Sequence, residues 1–164
     1  MAQDHSMDII VEFDFQELKN AVDQAQREIT TRYDLKDAGV EVELEENALK
    51  VTAQSANQIE AVYGILVKRM IGRNLSPKIL DRQNVQEIGG MRVRQEMKLI
   101  KALDQETAKT VSKLIRDTYP KVKPLIQGET VRVVSKSIDE LQAVIQLLQK
   151  TETIKVPLKF TNYR

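Results

Sequence analysis

Few of the 164 residues have the chemistry of a catalyst. The chain has no cysteine, so it offers no thiol nucleophile, no thiolate metal ligand and no disulfide framework. Its single histidine, His5, falls in what reads as a mobile N-terminal tail and is expected to be inert. Without cysteine and with one histidine, a zinc site lacks its usual ligands. No Gly-x-x-x-x-Gly-Lys-Ser/Thr loop and no Gly-x-Gly-x-x-Gly turn occurs, so neither a P-loop nor a dinucleotide cradle is indicated. The one glycine pair, Gly89-Gly90, reads as a hinge rather than a phosphate nest. Glu41, Glu43 and Glu45 alternate and so share one face of a strand. A hard cation would need six or more oxygens in a closed shell. Like charges that keep an exposed sheet edge from pairing explain the same spacing, and that reading is preferred. The chain therefore reads as a binding protein and not an enzyme, with no metal and no cofactor expected.

The residues suited to holding a ligand are basic. Over 91–99, Met91, Val93, Gln95, Met97 and Leu99 point one way, while Arg92, Arg94, Glu96 and Lys98 point the other. Val131 and Val133 alternate with Thr130 and Arg132 in the same manner. If these two strands lie side by side at the centre of one sheet, Arg92, Arg94, Lys98 and Arg132 form one basic surface, with Lys136 at its end. The planar fork of arginine can grip phosphate bidentately or stack on a base. A salt-bridged surface facing an acidic neighbour accounts for the same residues equally well.

The elements that would carry these side chains are written twice. Lys50-Val51-Thr52-Ala53-Gln54-Ser55 runs into Ile59, Val62 and Leu66. Arg132-Val133-Val134-Ser135-Lys136-Ser137, 82 positions later, runs into Leu141, Val144 and Leu148. Each copy is an alternating strand followed by a helix with an apolar stripe. Each helix opens on a capping box, Ser55-x-x-Gln58 and Ser137-x-x-Glu140. Working outward, a strand over 9–13 leads to a helix capped by Asp14, with Leu18, Ala21, Val22, Ala25 and Ile29 on one face. A hairpin follows over 39–53, then a helix ending near Gly72 and a short strand begun by Pro77. The second copy has a strand over 91–99 and a helix over 104–118. Its hairpin, 122–127 with 130–134, is turned by Gly128-Glu129, and a last strand spans 156–160. Residues 82–90, polar and ending in two glycines, read as the connector. The order β-α-β-β-α-β taken twice is an α+β fold, a tandem ferredoxin-like duplication with antiparallel sheets and helices on one face. The repeats are expected over residues 1–82 and 83–164.

Charge divides along the same line. The first 82 residues carry ten basic and fifteen acidic side chains, a net of −5, and the remainder carry fifteen and nine, a net of +6. Such an asymmetry suits two lobes that attract each other, or a basic lobe that takes an anion. No apolar run is long enough to span a bilayer and the N-terminus does not read as a signal peptide, so a cytoplasmic protein without a membrane partner is expected. Aromatic residues make up 4% of the chain. Phe13 is the sole aromatic expected on the first repeat's strands, which argues against base-stacking recognition of single-stranded RNA.

Several stretches together resemble the YajQ family of bacterial proteins. They are Met7-Asp8-Ile9-Ile10, then Asn20-Ala21-Val22-Asp23 leading to Arg27-Glu28-Ile29, and Arg32-Tyr33-Asp34-Leu35. Further on come Ile126-Gln127-Gly128 with Val131-Arg132-Val133, Asp139-Glu140-Leu141-Gln142, and Phe160-Thr161-Asn162-Tyr163-Arg164. The resemblance covers almost the whole chain and departs from the family pattern at Met7, where phenylalanine is expected. It implies a duplicated ferredoxin-like fold, with the first strands of the two lobes possible to exchange. Exchange would set residues 91–99 beside the first hairpin, so that the basic face meets Lys50 instead of Arg132. It also implies nucleotide binding without enzymatic activity, with cyclic di-GMP as ligand for some members and RNA association for others. A regulatory protein partner is a further alternative. The resemblance carries no ligand-contact residues over to this chain.

Overall fold

Each long helix begins where a short polar side chain takes up amide protons that the first turn leaves without partners. The computed structural model describes residues 4–164. Asp14 accepts from the N–H groups of Gln16 and Glu17 at 2.9 and 3.3 Å and opens α1, Phe15–Thr31. Ser55 accepts from Gln58 N–H at 3.2 Å and opens α2, Ala56–Gly72. The Gln58 side chain reaches back to Gln54 N–H at 2.8 Å, one residue earlier than the cap itself. Asp104 accepts from Thr107 N–H at 2.6 Å and opens α3, Gln105–Thr118. Ser137 does the same for Glu140 at 3.3 Å and opens α4, Ile138–Lys150. There the reciprocal half of the box is relayed: the Ser135 hydroxyl accepts from Ser137 N–H at 3.0 Å and donates to the Glu140 carboxylate at 3.0 Å. Past the end of α2 the left-handed residue is Asn74, at φ 62°, and Leu75 N–H returns to the Met70 carbonyl at 2.9 Å.

The strands are β1 His5–Val11, β2 Glu41–Leu44, β3 Ala48–Ala53, β4 Leu80–Arg82, β5 Gln86–Ile88, β6 Arg92–Leu99, β7 Lys123–Gln127, β8 Thr130–Ser135 and β9 Leu158–Thr161. They form two antiparallel sheets, ordered β2-β3-β6-β4 and β7-β8-β1-β9, with β5 added alongside β6. In both, the two hairpin strands come first, then a central strand, then the strand that follows the second helix. This is the ferredoxin-like order, and the fold is α+β with four helices and two antiparallel sheets.

One compact unit is Phe13–Ile100, whose sheet carries α1 and α2. Its central strand β6 pairs with β3 in the register Leu49 to Met97 and Val51 to Gln95. The apolar stripes Leu18, Ala21, Val22, Ala25 and Ile29 of α1 and Ile59, Val62, Leu66 and Met70 of α2 close over Leu49, Val51, Met97 and Leu99 in one core. At the β4 edge Arg82 lies over the Tyr63 ring, 4.0 Å from its centroid, and pairs with Glu60 on α2. Its Nε donates at 3.2 Å to the side chain of Gln95, which is buried and donates in turn to the Gln83 carbonyl at 2.7 Å.

The other unit is Lys101–Arg164 together with the N-terminal strand β1, and its sheet carries α3 and α4. Here β1 is the central strand, set between β8 (Met7 to Val133, Ile9 to Val131) and β9 (Ile9 to Phe160). Met7, Ile9, Val131 and Val133 are all fully buried, as are Ala108, Val111 and Ile115 of α3 and Val144 of α4. Gly128, at φ 62°, turns the two-residue loop between β7 and β8. The pair flanking such a loop, Gln127 and Thr130, is the hydrogen-bonded one, so alternation turns the backbone of Pro124 toward the open edge. A proline there removes an edge donor that another strand would use.

Four local expectations need correction. His5 is not in a free tail: it begins β1 opposite Ser135, because the apolar alternation of Met7, Ile9 and Val11 extends pairing back to it. Phe13 lies past the end of β1 and packs against the core of the α1–α2 unit, so it is no sheet-face aromatic. Residues 82–90 are more than a connector, since Gln86–Ile88 pairs with β6 and Gly89, Gly90 and Met91 form the turn of that hairpin. Pro77 begins a short 3-10 turn, Pro77–Ile79, ahead of β4.

Candidate functional site

The five basic residues singled out above fall on two sheets. Arg92, Arg94 and Lys98 project from β6 onto the face away from the helices; on β3 Thr52 lies across from Arg94 and Ala48 across from Lys98, while Arg92 lies across from Ile88 on β5. Each arginine is already engaged. The Arg92 guanidinium donates to the Gly39 carbonyl, and Arg94 Nε donates to Thr52 Oγ1 at 3.1 Å. Lys98 is exposed, with Asp81 opposite it on β4. Lys50 is paired with Glu45 at 3.1 Å and has Glu43 and Glu96 opposite it on either side. This face therefore mixes both signs of charge. Glu41, Glu43 and Glu45 are exposed on and just beyond the edge strand β2. Among the described residues no group of three or more histidine or acidic side chains is placed to hold a metal ion.

Arg132 stands on β8, directly across from Asp8 on β1. Its Nε donates to Asp8 Oδ1 at 3.0 Å, and Asn162, just past β9, donates to Asp8 Oδ2 at 2.9 Å. Asp8 is 5% exposed. The hydrogen bond from Arg132 holds its carboxyl below the ordinary carboxylate range; burial pulls the other way, and Asn162 adds to the lowering. The same bond raises the Arg132 guanidinium further above its already high value. Three of the stretches that carry the family resemblance thus meet at one buried carboxylate. The final residues close onto the same strand, with Arg164 and Ser6 exchanging backbone bonds at 3.0 and 3.2 Å. Asp8 and Asn162 escaped the reading of the sequence because nothing local links positions 8, 132 and 162.

Lys136 lines a concavity, of about 360 Å³, at the end of β8. Lys121 and Lys123 line it as well, with Asp4, Pro120, Val134, Ser135 and Glu140. The fold places these lysines for plain reasons. Val122 is buried between Lys121 and Lys123 and anchors the loop leaving α3, while its N–H returns to the Tyr119 carbonyl at 3.0 Å. Lys136 follows the last residue of β8, just before the Ser137 cap of α4. All three side chains are exposed. Glu140 is held by the Ser135 hydroxyl; three ammonium groups and the Asp4 carboxylate are the other charges around the space. Lys121 and Lys123 have a legible signal, Lys-Val-Lys at a strand entrance, but it lies at the end of the sheet and not on the face where basic residues were sought.

The family model described as nucleotide-binding protein YajQ-like matches residues 5–164. The chain belongs to the YajQ family. A nucleotide-binding protein of Trichodesmium erythraeum is 51% identical over 164 residues, all of both chains. One from a Roseiflexus species is 48% identical over 165 residues and likewise covers both chains in full. Another, from Nostoc punctiforme, is 51% identical over 128 residues, 78% of each chain. Among the described residues no helix of this YajQ-family chain is long and apolar enough to cross a membrane.

Proposed function

We propose that this chain is a nucleotide-binding protein that performs no chemistry on its ligand, and that Lys121, Lys123 and Lys136 hold the ligand's phosphate. The observation that carries the reading is the concavity of about 360 Å³ with three lysines at its rim. It falls toward the small end of ligand sites, which run from roughly 300 to 1,000 Å³. The family description and the names of the relatives supply the nucleotide. The arginines of β6 and β8 play a secondary part, since each already has a hydrogen-bond partner: the Gly39 carbonyl ahead of β2, Thr52 on β3 and Asp8 on β1. A protein of this kind acts as a regulator, reporting the level of its ligand through the state it stabilises; cyclic di-GMP is the messenger that family resemblance brings forward.

A thermal-shift screen of the full chain against nucleoside mono-, di- and triphosphates and cyclic dinucleotides tests the reading. A ligand that binds only the folded state at a hundred times its Kd adds about 2.7 kcal/mol of stability. At least one nucleotide should raise the melting temperature, and Lys123→Glu with Lys136→Glu should remove the rise. No shift with any nucleotide at millimolar concentration would refute it.

A further inference from the structure

We infer that Arg164 is a second phosphate contact of the nucleotide site, facing Lys123 across an open row of the sheet, and that Asn162, tied to Asp8, holds it there. The inference rests on the nucleotide reading above and adds a residue to that site. Strand register carries it. Lys123 on β7 lies opposite Val134 on β8, and Val134 lies opposite Ser6 on β1. Arg164 N–H donates to the Ser6 carbonyl at 3.0 Å, and Ser6 N–H donates to the Arg164 carbonyl at 3.2 Å. Residues that exchange both bonds stand directly opposite, with their side chains on one face. Met7 and Val133 are fully buried toward the helices, so the row Lys123, Val134, Ser6, Arg164 faces away from them.

A backbone device delivers Arg164 to that row. Asp8 pairs with Thr161, so uninterrupted pairing would set Tyr163 opposite Ser6 and turn Arg164 to the helix side. Asn162, at φ 54°, adds one residue and moves Arg164 into register. Bulges of this kind re-aim a side chain beside functional sites. The Asn162 side chain pins the bulge by donating to Asp8 Oδ2 at 2.9 Å, and Asp8 is held in turn by Arg132. The Asp8 carboxyl, lowered first by its bond from Arg132, also feels the positive charge of Arg164, as a guanidinium over the same face requires.

Both ends of the row are exposed cations, and Val134 and Ser6 between them are half-buried. Three strand spacings put the two end positions about 14 Å apart. Lys123 and Val134 already line the concavity, and Arg164 extends the site along the sheet with a planar fork that grips phosphate through two bonds. A ligand with phosphates on two nucleosides can meet both cations at once; a nucleoside monophosphate meets one.

The test uses the full chain and titration calorimetry with three probes: GMP, the linear 5′-phosphorylated diguanylate, and cyclic di-GMP. Arg164→Gln should weaken both dinucleotides at least about tenfold, the worth of one hydrogen bond between charged groups, and GMP by less. The side chain is exposed, and an unchanged melting temperature will show that the variant folds. Asn162→Ala should weaken the dinucleotides as well. In the Arg164→Gln background it should take no further affinity, while its cost in melting temperature stays the same in both backgrounds. Additive losses of affinity overturn the positioning role of Asn162. Arg164→Gln without effect on the dinucleotides, where Lys123→Glu weakens them, overturns the contact and leaves nucleotide binding standing. An equal loss for GMP, or binding of GMP alone, overturns the assignment to a second phosphate. No binding by any probe overturns the nucleotide reading itself.

Discussion

Replacing Asp8 with asparagine keeps the size of the side chain and removes its charge from a position only 5% exposed. Two hydrogen bonds change character, the 3.0 Å bond from Arg132 Nε and the 2.9 Å bond from Asn162. Hydrogen bonds to an ionised group contribute about 1.5–3 kcal/mol each. An asparagine can still accept one of them through its oxygen, so the expected cost is about 2–3 kcal/mol. For a chain of this length that is roughly 5–10 °C in melting temperature. The pH dependence makes the prediction specific. The Asp8 carboxyl titrates lower in the folded protein than in the unfolded chain, so its contribution is complete above the unfolded carboxylate value, about 3.9. It is lost as pH falls below that value through the depressed folded one. Urea unfolding of wild type and Asp8→Asn should therefore show the full gap from pH 5 to 7 and a narrowing gap below about pH 4. Equal stabilities at pH 7, or a gap as large at pH 3 as at pH 7, would refute the claim that an ionised Asp8 ties the sheet together.

Other positions give independent tests. Gly39→Ala forces an L side chain into φ 61° and sets its Cβ 3.1 Å from Arg92 Nη1, which should cost about 1–2 kcal/mol in urea unfolding. Arg82→Leu removes the donor to buried Gln95 and the cation over Tyr63, and should cost about 1–3 kcal/mol with a change in the near-UV circular dichroism of tyrosine. Ser135→Ala deletes both bonds of the hydroxyl relay at the start of α4; about 1–2 kcal/mol should be lost, and hydrogen exchange should quicken in the first turn of that helix.

Local chemistry was legible wherever one period or one cap decided the outcome. The stripes of α1 and α2, the Ser55 and Ser137 caps and the alternation of β6 follow from spacing alone, because a helix or a strand shows the same face whatever it packs on. Outcomes set by tertiary contact were not legible. Met91 was read as the inward start of a strand, yet it is 93% exposed at φ 59° in the turn between β5 and β6. The second helix does end at Gly72 as expected, but the left-handed residue lies two positions on, at Asn74, a side chain that also tolerates that conformation. His5 reads as a tail until β8 is there to pair with it. The candidate site was legible only in part: Lys136 stood out as a basic residue at a strand end, while its neighbours Lys121 and Lys123 belong to a loop whose path is set by burial of Val122.

The hardest feature to read was which sheet each central strand joins. β1 and β6 both show an apolar face toward helices and a polar face away from them, so each satisfies the burial demands of either sheet. Their polar faces do distinguish them. On β1 the outward carboxylate of Asp8 meets Arg132 of β8, and on β6 the outward Arg94 and Glu96 meet Thr52 and Lys50 of β3. Interchanging the two strands in the same register of faces would bring basic β6 residues against Arg132 and would deprive the nearly buried Asp8 carboxylate of its guanidinium partner. Like charges directly opposite on a sheet destabilise the pair, whereas opposite charges stabilise it. The polar faces thus act as the address that the apolar faces lack. This also explains why a basic surface built from Arg92, Arg94, Lys98 and Arg132 does not arise on one sheet: the pairing that would create it is the one its charges oppose.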